Sequence, residues 1–165
     1  MAKRLTIFIC LFLICIAGVK AQTYCYHFYK EYDQYDVPET HDSYLYITFK
    51  GDLLYFSKKD GSYLNNFEGK PLETLYKFYG YNDDVLVYKL WQQVYHIAGK
   101  RLVDTGFKDF EILLVSKDKT IINEVYEGAA PEYRKYGKSL EPWTKCYERC
   151  PYDECEKPHV PVMKQ

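Results

Sequence analysis

The sequence has almost no imbalance of charge: 22 lysines and arginines stand against 23 aspartates and glutamates, a formal net charge of −1. A nucleic-acid binder neutralises phosphates with a basic stripe, and neither the total nor any local block supplies one. Nucleic acid is therefore set aside as a partner. Long apolar runs are scarce as well. Residues 5–19 form the one continuous stretch, and it falls short of the ~20 residues that a spanning helix needs. Catalytic and ligand motifs are also missing: there is no G-x-S-x-G elbow, H-E-x-x-H helix, phosphate-binding glycine loop or EF-hand pattern. Glycosylation sequons are absent, because Asn65, Asn66, Asn82 and Asn123 are followed two positions on by Phe67, Glu68, Asp84 and Val125. No cofactor or metal is called for, and the reading leans away from an enzyme.

What is present begins with an export signal. Lys3 and Arg4 precede the apolar run, and Val19-Lys20-Ala21 places small residues where a signal peptidase cuts. Cleavage after Ala21 is expected, giving an exported periplasmic or extracellular protein with no transmembrane segment. Removal of residues 1–21 takes away Lys3, Arg4 and Lys20 and no acid, moving the charge from −1 to −4. All 19 tyrosines lie beyond the cleavage point, which weights the reading toward strands, where rings fit the pleated surface.

Period-two alternation recurs along the mature chain. In residues 44–49, Leu45, Ile47 and Phe49 alternate with Tyr44, Tyr46 and Thr48. Turns are expected at Lys50-Gly51-Asp52, Lys58-Lys59-Asp60-Gly61, residues 80–84 and Lys117-Asp118-Lys119. Strands are expected at residues 23–29, 44–49, 53–57, 62–67, 74–79, 85–91, 94–98, 111–116 and 120–126. The run 74–79 also fits helical spacing, through Leu72, Leu75, Tyr76 and Tyr79. Residues 30–43 read as a polar loop. The fold class is mainly β, a single antiparallel sheet, sandwich or barrel-like meander over residues 22–130. Residues 131–165 read as an irregular tail containing cysteine and proline.

Four cysteines survive cleavage: Cys25, Cys146, Cys150 and Cys155. An even number in an exported chain predicts two disulfides, with three pairings open. The competing reading is a metal quartet, Cys146-x3-Cys150-x4-Cys155-x3-His159, whose spacing is looser than that of zinc frameworks. Among the histidines, His27, His41, His96 and His159, the strand members His27 and His96 are expected to be structural rather than catalytic. Carboxylates between Glu31 and Asp42 match no calcium loop. Tyr44, Tyr46, Tyr55, Tyr88 and Trp91 form a candidate aromatic binding face for a protein, peptide or carbohydrate partner; the competing reading buries these rings in a core.

At Ala21-Gln22-Thr23-Tyr24-Cys25-Tyr26 and Leu113-Leu114-Val115-Ser116-Lys117-Asp118 the chain resembles small, tyrosine-rich exported bacterial proteins without assigned function. That resemblance implies export and carries no site residue. The function expected is binding, or a structural accessory role. Two alternatives stand beside it: a secreted hydrolase whose carboxylates or histidine meet only in the fold, and a lipocalin-like carrier of an apolar ligand, which requires a closed sheet with an internal cavity.

Overall fold

The structure is a computed structural model that describes residues 20–64, 74–97, 100–128, 141–151 and 154–156. Eight antiparallel strands follow in chain order: β1 (Gln22–Tyr32), β2 (Pro38–Lys50), β3 (Leu53–Ser57), β4 (Leu75–Asn82), β5 (Val85–Ile97), β6 (Lys100–Ser116), β7 (Ile121–Tyr126) and β8 (Trp143–Cys150). Each strand pairs with its neighbours in sequence, and β8 pairs with β1, so the sheet closes into a barrel with no free edge. The expected mainly β, antiparallel class is found. Among the described residues no helix is long and apolar enough to cross a membrane.

The closing strand lies in the segment read from sequence as an irregular tail, which corrects that expectation for residues 143–150. Its alternation is hidden by cations. Trp143, Lys145, Tyr147 and Arg149 share one face, but the lysine and arginine lay their ends over rings instead of ending the strand: Lys145 Nζ is 4.4 Å from the Trp143 ring centre, and the Arg149 guanidinium is 5.1 Å from that of Tyr24. A second correction concerns residues 30–43, expected as a loop. The strands β1 and β2 continue through most of it, and the connection shrinks to residues 33–37, where Asp33 Oδ1 accepts hydrogen bonds from the backbone N–H of Tyr35 and Val37, both 2.9 Å. Polarity misled here because Lys30, Glu31 and Tyr32 satisfy their backbone by pairing with both β2 and β8 while their side chains are only half-buried. The ambiguous run 74–79 is strand. Of the expected strand 62–67, Tyr63 bridges Ser57, and residues 65–67 lie outside the described part, as do residues 1–19.

The two ends of the barrel differ. At one end, tight turns join β2 to β3, β4 to β5 and β6 to β7, with positive φ at Gly51 (63°), Asp83 (51°) and Lys119 (60°). This end is packed and capped: Tyr26 Oη donates to the Lys119 carbonyl at 2.7 Å, and Lys119 Nζ sits 4.6 Å from the Phe49 ring centre. The opposite end carries the connections β3–β4 and β7–β8 and the long β5–β6 hairpin.

Inward-facing residues fill the barrel with Tyr26, Ile47, Phe49, Leu54, Tyr88, Leu90, Leu113, Val115 and Ile122, all buried. Each large apolar side chain removed from water contributes about 1.5–3 kcal/mol before conformational entropy is set against it. Part of the outer surface is covered too. The hydroxyls of Thr23, Thr48 and Ser57 form a chain with 2.8 Å spacings, and residues 58–63 fold over it. Gly61 (φ +79°) approaches so closely that a Cβ there would stand 3.1 Å from Thr23 Oγ1.

Candidate functional site

The core is not apolar throughout. On β7, Ile122, Glu124 and Tyr126 are buried while Ile121, Asn123 and Val125 are half-buried, so strand alternation alone carries Glu124 into the barrel. Glu124 is paired across β6 with Leu113, two residues from Glu111, which places both carboxyl groups on the inner surface of adjacent strands. From β4, Tyr76 points at the pair. Its Oη hydrogen-bonds Glu111 Oε1 and lies 3.1 Å from Glu124 Oε1. From β8, Tyr147 Oη donates to the other oxygen, Glu124 Oε2, at 2.5 Å. Both glutamates and both tyrosines are buried.

Burial bears on the protons of this cluster. Burial, aided by the two carboxylates, holds the Tyr76 hydroxyl well above its ordinary value, and burial followed by Glu124 does the same to Tyr147, so both phenols keep their protons. Tyr76 has a single proton and can donate to only one carboxylate. Its contact with the other is favourable when that oxygen itself carries a proton and donates to Tyr76. Burial pushes the Glu124 carboxyl up, against the opposing effect of the Tyr147 hydrogen bond. A proton on Glu124, the direction in which burial pushes it, lets that carboxyl donate to Tyr76 while Tyr76 donates to Glu111.

The cluster floors a cavity of about 280 Å³ at the end of the barrel with the longer connections. Phe56 and Leu64 supply its apolar wall, and Thr74, Gln93, Tyr76 and the two glutamates its polar side. The volume sits just below the ~300–1,000 Å³ usual for small-molecule pockets. Such a chamber can take a small ligand, apolar along one side, that places a cation or hydrogen-bond donor against the acid pair.

The aromatic residues singled out from sequence do not form one face. Tyr88 is in the core, where its ring meets those of Phe49 and Phe78. Tyr55 points outward but is covered: it stacks near Tyr63 (4.5 Å between ring centres) and donates to the Gly61 carbonyl at 3.1 Å. Tyr44 stacks on His27 at 4.7 Å, and Tyr46 is half-buried beside it on β2. Trp91 belongs to a different patch, with Phe107 at 4.9 Å and Lys77 Nζ at 4.8 Å.

His27 Nε2 meets Asp42 Oδ1 at 3.1 Å on the outside of the barrel, and His41 stacks on Phe28 with its Nε2 3.5 Å from Glu31 Oε2. Neither histidine lines the cavity. The His96 side chain and His159 lie outside what the structure describes. Of the carboxylates in the expected polar loop, Glu31 and Asp33 share a second, smaller hollow with Glu141 and Trp143.

Four cysteines were expected to form two disulfides; the structure joins Cys25 to Cys155 and shows Cys146 and Cys150 as thiols. Cys146 and Cys150 are four residues apart on one strand, roughly 13 Å, too far for a bridge between their Cα atoms. Cys150 is instead the register partner of Cys25 across the β1–β8 seam. Cys146 pairs with Lys30 further along and is buried, and its thiol is pushed up chiefly by that burial. The metal quartet read from the tail is thus not assembled: Cys150 and Cys155 gather with Cys25, not with Cys146.

Sequence reasoning missed Glu111, Glu124, Tyr76 and Tyr147. No protein-family model, curated protein or solved structure matches this chain.

Proposed function

We propose that this chain is an exported small-molecule binding protein that holds its ligand in the barrel cavity. The ligand we assign has an apolar body and a cationic, amine-type head. The observation that carries this reading is the buried Glu111–Glu124 pair, bridged by Tyr76 and forming the polar floor of a cavity whose apolar wall is Phe56 and Leu64. Two carboxyl groups in a low-dielectric chamber favour a cation that replaces the proton held on Glu124, and the apolar wall rewards a hydrocarbon body. This refines the expectation of a carrier for an apolar ligand, since the polar side of the cavity rewards a donor group that a wholly apolar ligand lacks. The basic-then-apolar pattern of residues 3–19 supports export of the chain.

Paired carboxyl groups in a cavity also support the hydrolase reading, because glycosidases work with two. Binding is favoured because the Tyr76 hydroxyl occupies the space between the carboxyls, where a scissile bond would have to sit.

The test is a thermal-shift panel of primary amines, from butylamine to phenethylamine, each against the alcohol of the same skeleton. Amines are expected to raise Tm saturably in wild type and not in an E111Q/E124Q variant, with the alcohols weaker. Equal shifts for amine and alcohol, or none for any amine, would overturn the reading. Turnover of nitrophenyl glycosides that is lost in E124Q would put the hydrolase in its place.

A further inference from the structure

The sulfurs of Cys25, Cys150 and Cys155 all lie within 4.8 Å of one another. They come from three elements: Cys25 from β1, Cys150 from the end of β8, and Cys155 from the short 3-10 turn Glu154–Glu156 that packs against β1 and β2. Cys155 is bonded to Cys25 and its Sγ also reaches the Leu45 carbonyl at 3.5 Å. The Cys150 thiol stands 3.1 Å from Cys25 Sγ. We propose that Cys25 is the shared sulfur of two alternative disulfides, and that Cys150 exchanges with Cys155 for it.

The step balances without an outside oxidant or reductant. The Cys150 thiolate attacks Cys25 Sγ, a Cys25–Cys150 bond forms, the Cys25–Cys155 bond breaks, and Cys155 leaves as a thiolate that takes up the proton Cys150 lost. Both products are sterically sound. Directly opposed residues of an antiparallel pair have Cα atoms about 4.5–5.5 Å apart, inside the ~4.4–6.8 Å range of disulfides, and the existing bridge spans 6.1 Å. Burial selects the internal nucleophile. Cys25 is 1% exposed, so solvent thiols do not reach it, whereas Cys150 is already in contact. One isomer ties the 154–156 turn to the barrel wall; the other staples the β1–β8 seam and frees the Cys155 thiol at the surface.

The natively exported full chain decides this by disulfide mapping. Protein is held at several pH values between 5 and 8, trapped with N-ethylmaleimide under acid quench, and cut with trypsin and a glutamate-specific protease, which separate Cys150 from Cys155 by cleaving after Arg149 and Glu154. Two isomers are expected, 25–155 with Cys150 alkylated and 25–150 with Cys155 alkylated, with Cys146 alkylated in both after denaturation. Their interconversion should quicken by about tenfold per pH unit below the ordinary thiol pKa, since the thiolate is the nucleophile. A C155S variant should form the 25–150 bridge in full. The 25–155 isomer alone at every pH, or C155S with Cys25 and Cys150 both alkylated, would overturn the proposal. Should C155S fail to fold, the wild-type kinetics decide alone.

Discussion

Replacing Tyr76 with phenylalanine removes one oxygen and leaves the ring, so packing is preserved and the loss is that of a buried hydroxyl touching two carboxyls. A hydrogen bond to a charged group contributes about 1.5–3 kcal/mol. Y76F forfeits two such contacts and removes the hydroxyl between Glu111 and Glu124, so the cost should be roughly 3–5 kcal/mol, below a strict doubling because both contacts pass through one hydroxyl. That is a large part of the ~5–15 kcal/mol that holds a typical domain together. Y147F, which removes the single bond to Glu124 Oε2, should cost about 1.5–3 kcal/mol. Urea titration at pH 7, followed by fluorescence, measures both, and m should be unchanged if only the native cluster is affected. Adding E124Q to Y76F should recover at least about 1 kcal/mol, because the carboxamide donates to Glu111 with no proton to lose as pH rises. The reasoning fails if Y76F stays within about 0.5 kcal/mol of wild type, if Y147F is the worse variant, or if E124Q gives no recovery.

The raised Glu124 carboxyl binds its proton more tightly in the folded chain. Its contribution is therefore complete below the ordinary carboxylate range and lost as pH rises through the folded value; denaturant midpoints measured upward from pH 5 should fall in wild type and flatten in E124Q. Asp118 is the opposite case: hydrogen bonds from Ser116 and Thr120 hold it down at about 2. Stability from that turn is present above pH ~4 and lost as pH falls toward 2, so a D118N variant should show a shallower acid limb in the same titration. Gly61→Ala meets both a φ of +79° and a 3.1 Å approach to Thr23 Oγ1, and should lower stability by roughly 1–2 kcal/mol. Iodide quenching of tyrosine fluorescence should rise in that variant as the cover over Tyr55 loosens; unchanged quenching and stability would show that residues 58–63 are not held there.

The strands and turns were largely legible because their signals are local. Gly51, Asp83 and Lys119 sit where a turn needs positive φ, and each lies in a turn read from composition. Closure was not legible. It depends on β8, whose inner row includes Lys145 and Arg149, residues that no alternation count scores as interior. The site was hidden for a related reason. On β7 the inner row is Ile-Glu-Tyr and the outer row Ile-Asn-Val; each contains one polar residue, so period two cannot say which faces the core. Tyrosine adds to the difficulty, since the same residue type serves as core filler at Tyr88, as a covered outer ring at Tyr55 and as a proton donor at Tyr76 and Tyr147. The even cysteine count pointed toward disulfides, but which sulfurs meet follows from the β1–β8 register, a contact 125 residues apart in sequence.

Calorimetric titration of the tightest-binding amine from the panel into wild type and E111Q/E124Q, in two buffers of different ionisation enthalpy at pH 7, tests the account most directly. The account predicts one site per chain, at least tenfold weaker binding in the double variant at unchanged near-UV circular dichroism, and release of about one proton as the ammonium displaces the proton that burial holds on Glu124. Equal affinity in the two proteins, or binding without proton release, would contradict it.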